Sequence, residues 1–140
     1  DKMKKEIIID GNNAIMGRLA SYAAKQVLRG ENVIIVNAEK TVITGDRQNT
    51  IENFYAKRRR RGSTIQGPKH SFLAEKILKR AIRGMLPDHR SGRGKEALDR
   101  IRCYKGIPKE YQESKKILAG KEKIGKYIYL EEFAKWVKKK

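Results

Sequence analysis

The first apolar feature of the chain is a short unbroken run, Ile7-Ile8-Ile9, bounded by Glu6 and Asp10. Apolar residues without alternation suit a strand buried on both faces. A turn at Asp10 to Asn13 leads into a helical stretch reaching Leu28, with Gly30 where a helix needs a stop. Val33-Ile34-Ile35-Val36 supplies a second buried strand, and Thr41 to Thr44 a short third. A crossover of this length makes the first two strands parallel and their connection right-handed. The segment up to Gly45 therefore reads as a βαβ unit.

Beyond it, Ile51, Phe54 and Tyr55 show helical spacing within Asp46 to about Arg61. Gly62 to His70 reads as a loop carrying Gly67-Pro68. Ser71 is placed to N-cap a strongly periodic helix that ends at Leu86, where Pro87 stops it. Asp88 to Lys95 reads as a glycine-containing basic loop, followed by a short helix from Glu96 to Asp99. A strand from Ile101 to Tyr104 is closed by Gly106 and Pro108. After Lys109 the pattern predicts a strand at Tyr127 to Leu130 and a last helix through Trp136. No internal repeat or linker divides the 140 residues, so the expectation is one domain.

Helical projection separates the side chains of two of these helices. In the first, Leu19, Ala20, Ala23, Ala24, Val27 and Leu28 fall on one side, and Arg18, Lys25 and Arg29 on the other. In the Ser71 to Leu86 helix, Leu73, Ala74, Ile77, Leu78, Ala81, Ile82 and Met85 form the apolar arc. Lys76, Lys79, Arg80 and Arg83 share the opposite arc, with Glu75 at the boundary. A merely solvated face usually mixes its signs, and these scarcely do.

Composition adds weight to that asymmetry. With 39% hydrophobic residues the chain can bury a core. Thirty-four Lys and Arg against 16 Asp and Glu leave a net charge of +18. A compact body with that charge repels itself unless a polyanion neutralises it, and nucleic acid does so through phosphate contacts and counterion release. The run Lys57-Arg58-Arg59-Arg60-Arg61 cannot share one helix face, so it should project from the body. Its guanidinium forks suit phosphate, although a localisation signal also fits the run. Lys69 and His70 in the preceding loop, and His89, Arg90, Arg93 and Lys95 in the glycine loop, complete the candidate nucleic-acid-binding set. Gly92 and Gly94 are expected to let backbone amides approach phosphate. Lys138-Lys139-Lys140 reads equally as a frayed tail or a phosphate contact, and Phe133, Trp136 and Val137 as core or docking residues.

Other chemistries fare worse. An anionic membrane partner would need an apolar anchor or lipid signal, and no apolar run approaches the roughly 20 residues that span a bilayer. The run at Ile7 is too short for a signal-peptide core, and the whole pattern fits the cytoplasm. One cysteine, Cys103, excludes an intrachain disulfide and a multi-cysteine zinc site; between Ile101 and Tyr104 it reads as a buried apolar residue. Gly11 to Gly17 (GNNAIMG) fits neither the dinucleotide fingerprint nor the P-loop, which leaves a mononucleotide site at the first strand's end as an open option. The two histidines form no metal pair and no nucleophile–base couple. Asp88 with Glu113 and Lys115 loosely resembles a metal-dependent nuclease site, and a DNA-packaging role is the stronger alternative, since bulk charge does not separate DNA from RNA.

Four stretches in order resemble the universal large-subunit ribosomal protein thirteen family in its archaeal form. They are DGNNAIMGRLAS (Asp10 to Ser21), VNAEKTVITG (Val36 to Gly45), RAIRGMLP (Arg80 to Pro87) and ALDRIRCYKGIP (Ala97 to Pro108). The resemblance covers a core of about residues 6–108 and leaves 109–140 as a variable extension. It implies a three-layer αβα fold around a small mixed or parallel sheet of about four strands. It also implies a structural constituent of the large ribosomal subunit, binding its ribosomal RNA during assembly beside neighbouring ribosomal proteins. No catalysis, cofactor, metal, membrane or small-molecule substrate is implied. Under it, Gly84 permits close approach, Met85 and Leu86 pack, and Arg83, Arg90 and Arg93 contact phosphate.

Overall fold

The computed structural model describes residues 6–59, 73–118 and 125–139. Strands β1 (Glu6–Asp10) and β2 (Asn32–Val36) pair in parallel, with Ile8 opposite Ile34 and Ile9 opposite Ile35. Ile7 to Ile9 and Val33 to Val36 are all buried, as their unbroken apolar runs require. β4 (Ile101–Cys103) lies parallel beside β2, and β5 (Ile117–Leu118) parallel beside β1. The sheet order is therefore β4-β2-β1-β5. The sequence pattern did not predict β5, whose two residues are too few to show a period.

The strand order explains the layers. Two crossovers, β1 to β2 and β2 to β4, run in one direction across the sheet, and β4 to β5 runs back. With right-handed connections the first two cover one face and the third the other. The side chains follow this division. Ile7, Ile9, Val33 and Ile35 join a core with the helices, whereas Ile8, Ile34 and Val36 pack against Tyr104 and Tyr111 of the returning segment. The fold is α/β, consistent with the expected three-layer αβα arrangement. A one-residue slip of β1 on β2 would exchange these two sets of side chains between faces.

Helix α1 (Met16–Leu28) buries Leu19, Ala20, Ala23, Ala24 and Val27. It ends as Gly30 predicts. Gly30 takes a φ of +96°, its N–H donates to the Val27 carbonyl at 3.1 Å, and the Glu31 N–H reaches back to the Gln26 carbonyl at 3.3 Å. Arg100 Nη1 donates to the same Val27 carbonyl at 2.9 Å, tying the end of α1 to the start of β4. Helix α2 (Arg47–Arg59) starts after Asp46, whose carboxylate accepts the Asn49 N–H at 3.4 Å. Helix α3 (Ala74–Gly84) buries Ala74, Leu78 and Ile82, with Ile77 and Ala81 half-buried at the edges of that arc. The N-cap of α3 is Leu73 and not the predicted Ser71, which lies outside the described residues. Leu73, expected on the buried arc, is 50% exposed because it precedes the first helical turn.

Three expectations are corrected. The strand at Thr41 to Thr44 forms as β3 (Val42–Thr44), but it pairs antiparallel with β6 (Tyr127–Tyr129), apart from the four-stranded sheet. The short helix before β4 starts earlier, as α4 (Gly92–Asp99), so Arg93 and Lys95 are helical residues and not loop residues. Met85 is 46% exposed, whereas Leu86 does pack on the core. Met85 follows the last turn of α3, and its position carries it past the packed arc.

The C-terminal segment, α5 (Leu130–Lys139) together with β6, contributes Ile128, Leu130 and Phe133 to the same core as α1 and α3. Phe133 meets Phe54 of α2 edge to face, with ring centroids 4.9 Å apart. An Arg47–Glu132 ion pair also joins α2 to α5. These contacts hold α2 in place next to α3.

Candidate nucleic-acid interface

The end of the first strand is where an open α/β sheet would take a nucleotide. Here that place is filled by the protein's own loops. Asp10 Oδ1 accepts the Asn12 N–H and Asn37 Nδ2, each at 3.0 Å. A side chain on Gly11 would stand 2.9 Å from Thr41 Cγ2 and 3.1 Å from the Val36 and Asn37 carbonyl oxygens. Buried Glu39 accepts the Gly106 N–H at 2.8 Å, and Tyr129 donates its hydroxyl to Asn13 Oδ1 at 2.8 Å. The DGNN turn is thus bonded to the loop after β2 and to β6, and the loop after β2 is bonded in turn to the loop after β4. Its job is architectural.

The basic segment before β4 is also more tightly folded than a mobile loop. Asp88 Oδ1 accepts the Arg90 N–H at 3.1 Å. Gly94 is buried, and a Cβ there would sit 2.3 Å from the carbonyl oxygens of both Pro87 and Asp88. Gly92 adopts a φ of +61°. Gly94 therefore serves the chain's own turn, contrary to the expectation that it admits phosphate to the backbone, whereas the space beside Gly92 is open. Gly84, by contrast, has open space where a side chain would be. The packed turn holds Arg90, Arg93 and Lys95 exposed and His89 half-buried at the N-terminus of α4. The first turn of α4 contains no acid, and Ser91 makes no side-chain cap there, so helix polarity and side-chain charge favour an anion together.

On α1, Arg18, Lys25 and Arg29 are all exposed, as projected. On α3 the setting differs: Lys76 is exposed, but Lys79, Arg80 and Arg83 are half-buried. They border a groove of about 630 Å³ between α2 and α3, which Lys57 borders from α2. Its floor is apolar, formed by Met16, Ile43, Phe54, Ile77, Leu98 and Phe133. Among the described residues no acidic side chain lines it. Five predicted cations are thus brought together around one concavity. The floor residues had no distinguishing signal in the sequence, because residues lining a groove and residues filling a core are the same types.

Arg58 and Arg59 belong to the last turn of α2. Arg60, Arg61, Lys69 and His70 lie outside the described residues, so the expected projection of the run is left to its first residues. Cys103 packs against the core, and desolvation pushes its thiol up to about 12, opposed in part by Lys79 and reinforced by Glu75. At neutral pH it is a thiol and a poor nucleophile. Among the described residues no group of three His, Cys, Asp or Glu side chains is arranged to hold a metal. No described helix is long and apolar enough to cross a membrane.

An α/β body closed by its own loops, with cations on α1, α2, α3 and α4 and, among the described residues, no acid lining the groove between α2 and α3, has the features of the polyanion-binding class. The family is equally plain: the family model described as ribosomal protein L13 matches residues 4–110, and the chain belongs to that family. It is 48% identical over 111 residues to the large ribosomal subunit protein uL13 of Methanosarcina barkeri, covering 79% of this chain and 78% of the relative. The protein of the same name from Archaeoglobus fulgidus is 42% identical over 136 residues, covering 93% and 86%. That of Methanocaldococcus jannaschii is 42% identical over 131 residues, covering 91% and 94%. The latter two extend through most of the C-terminal segment, beyond the reach of the family model.

Proposed function

We propose that this chain is a structural constituent of the large ribosomal subunit, in the cytoplasm, that holds ribosomal RNA and supports subunit assembly without catalysis. The observation that carries the RNA contact is the gathering of Lys57, Lys76, Lys79, Arg80 and Arg83 around one groove with no acid among the described residues of its lining. The exposed cations of α1 and those at the start of α4 extend the same surface chemistry. The family and the names of the relatives support the ribosomal setting.

Mechanistically, the protein acts as an electropositive brace. Rigid helices hold cations in fixed places, so RNA strands that repel one another can approach where their phosphates are neutralised. RNA shape, more than base sequence, then sets the register. Neighbouring ribosomal proteins are the expected protein partners. The test is sedimentation of native lysate through a sucrose gradient, before and after a high-salt wash, probing for this chain. Comigration with the large subunit is expected. Recovery at the top of the gradient, or with chromosomal DNA, would reject the reading in favour of a free or DNA-packaging protein.

A further inference from the structure

The cations of α1 stand on an exposed helix face, a setting that asks nothing of a partner beyond a phosphate. The groove between α2 and α3 asks for more. Its charges border an apolar floor, and a phosphate gains nothing from apolar contact. Lys79, Arg80 and Arg83 are half-buried, a setting in which long side chains lay their methylene stems along apolar surface and keep their charged ends wet. The volume of about 630 Å³ falls within the roughly 300–1,000 Å³ typical of pockets that enclose small organic groups. An occupant must therefore combine a flat apolar body with negative charge on either side.

An RNA nucleotide whose base has left its stack has that form. Its base is a π-face that stacks on aromatic or apolar side chains, and its two flanking phosphates are anions. We propose that the α2–α3 groove takes an unstacked RNA base on the floor formed around Phe54, Ile77 and Ala81, with the neighbouring phosphates on Lys57 from one wall and Lys76 and Lys79 from the other. The proposal rests on the RNA-binding reading above and deepens it. Contact there is to a base as well as to backbone, so the groove fixes the position of one nucleotide where the α1 face fixes none. Among the described residues the lining holds five cations and no acid, which suits an occupant with regularly spaced anions better than a peptide without acidic side chains.

The test uses the full chain and large-subunit ribosomal RNA carrying thiouridine or thioguanosine, whose photoreactive sulfur is on the base. After irradiation and digestion, mass spectrometry should find nucleotide adducts on groove peptides containing Met16, Phe54 or Ile77. Adducts confined to other surfaces, with RNA demonstrably bound, would overturn the inference and leave the brace intact. An Ala81→Trp variant, which fills the groove without removing a cation, should bind the RNA about tenfold more weakly. The slope of its affinity against salt should not change, since no phosphate contact is lost. Unchanged affinity in a variant that melts like the parent would also overturn it, and if the variant does not fold, the adduct map of the parent decides. Failure of the parent chain to bind the RNA at all is a different result, which rejects the RNA reading itself. Protection of the floor by a neighbouring ribosomal protein and not by RNA would mark the groove as a protein-docking site and likewise overturn the inference.

Discussion

Helices α1 and α3 carry the same pattern in the sequence, apolar on one arc and basic on the other, yet the molecule uses them differently. Both anchor fully buried leucines, Leu19 and Leu78, in one core. The cations of α1 stand exposed on a surface, whereas three of the four on α3 are half-buried beside a groove. The difference comes from neighbours. Phe54 against Phe133 and Arg47 against Glu132 hold α2 and α5 together beside α3, and a second wall turns a basic helix face into a basic groove. A basic face is therefore only half of a description, since what it binds depends on the shape of the surface beside it.

The comparison can be broken most forcefully at its shared foundation. Leu19→Ala and Leu78→Ala each remove a fully buried side chain, and each is expected to cost about 3 kcal/mol, a large share of the stability of a domain this size. Urea unfolding measures both. A Leu78→Ala cost below about 1 kcal/mol would mean that α3 is not seated in the core as α1 is.

The charged faces give a smaller and more discriminating effect. Replacing Arg18, Lys25 and Arg29 with alanine should lower the slope of log affinity against log salt by about two, and so should replacing Lys76, Lys79 and Arg83. Their effects on stability should diverge. The α1 set is exposed and should stay within about 0.5 kcal/mol of the parent in thermal melts. The α3 set contains half-buried stems and should lose more, because apolar contact goes with the charge. Identical melts for the two sets would remove the structural distinction between the faces.

The smallest effect is at Cys103, which lies under α3 and feels Lys79 and Glu75. Because burial holds the thiol neutral, alkylation at pH 8 should be slow in the folded chain and rapid in urea. A thiol whose folded pKa is raised from 9.0 to about 12 has no effect on stability below pH 9, and it destabilises the fold progressively as pH rises between the two values. Rapid alkylation of the native protein would show that the α3 side of the core opens more readily than the α1 side.

Much of the fold was legible along the chain, and each success has a local cause. Ile7 to Ile9 and Val33 to Val36 could only be doubly buried strands, and Gly30 stopped α1 through the hydrogen bonds its φ permits. The cation sets of α1 and α3 were set by periodicity. The errors were also local readings of residues whose roles are set from a distance. Gly94 looked like a phosphate-cradling glycine, but it is demanded by the carbonyls of Pro87 and Asp88 packed over it. Thr41 to Thr44 read as a short third strand, and which sheet it joins was not legible there, because its partner comes from Tyr127 to Tyr129, more than eighty residues later.

The sequence by itself determined the α/β class, the buried strands, the basic faces and the family, because each is written in neighbouring residues or in continuous motifs. Tertiary structure alone decided that β5 returns to pair with β1, that the nucleotide-binding end of the sheet is closed by its own loops, and that α2 and α3 enclose a groove. A concavity has no signature in a single segment. It exists only where surfaces distant in the chain meet at a fixed separation, and here Phe133 and Glu132, from the far end of the chain, set that separation.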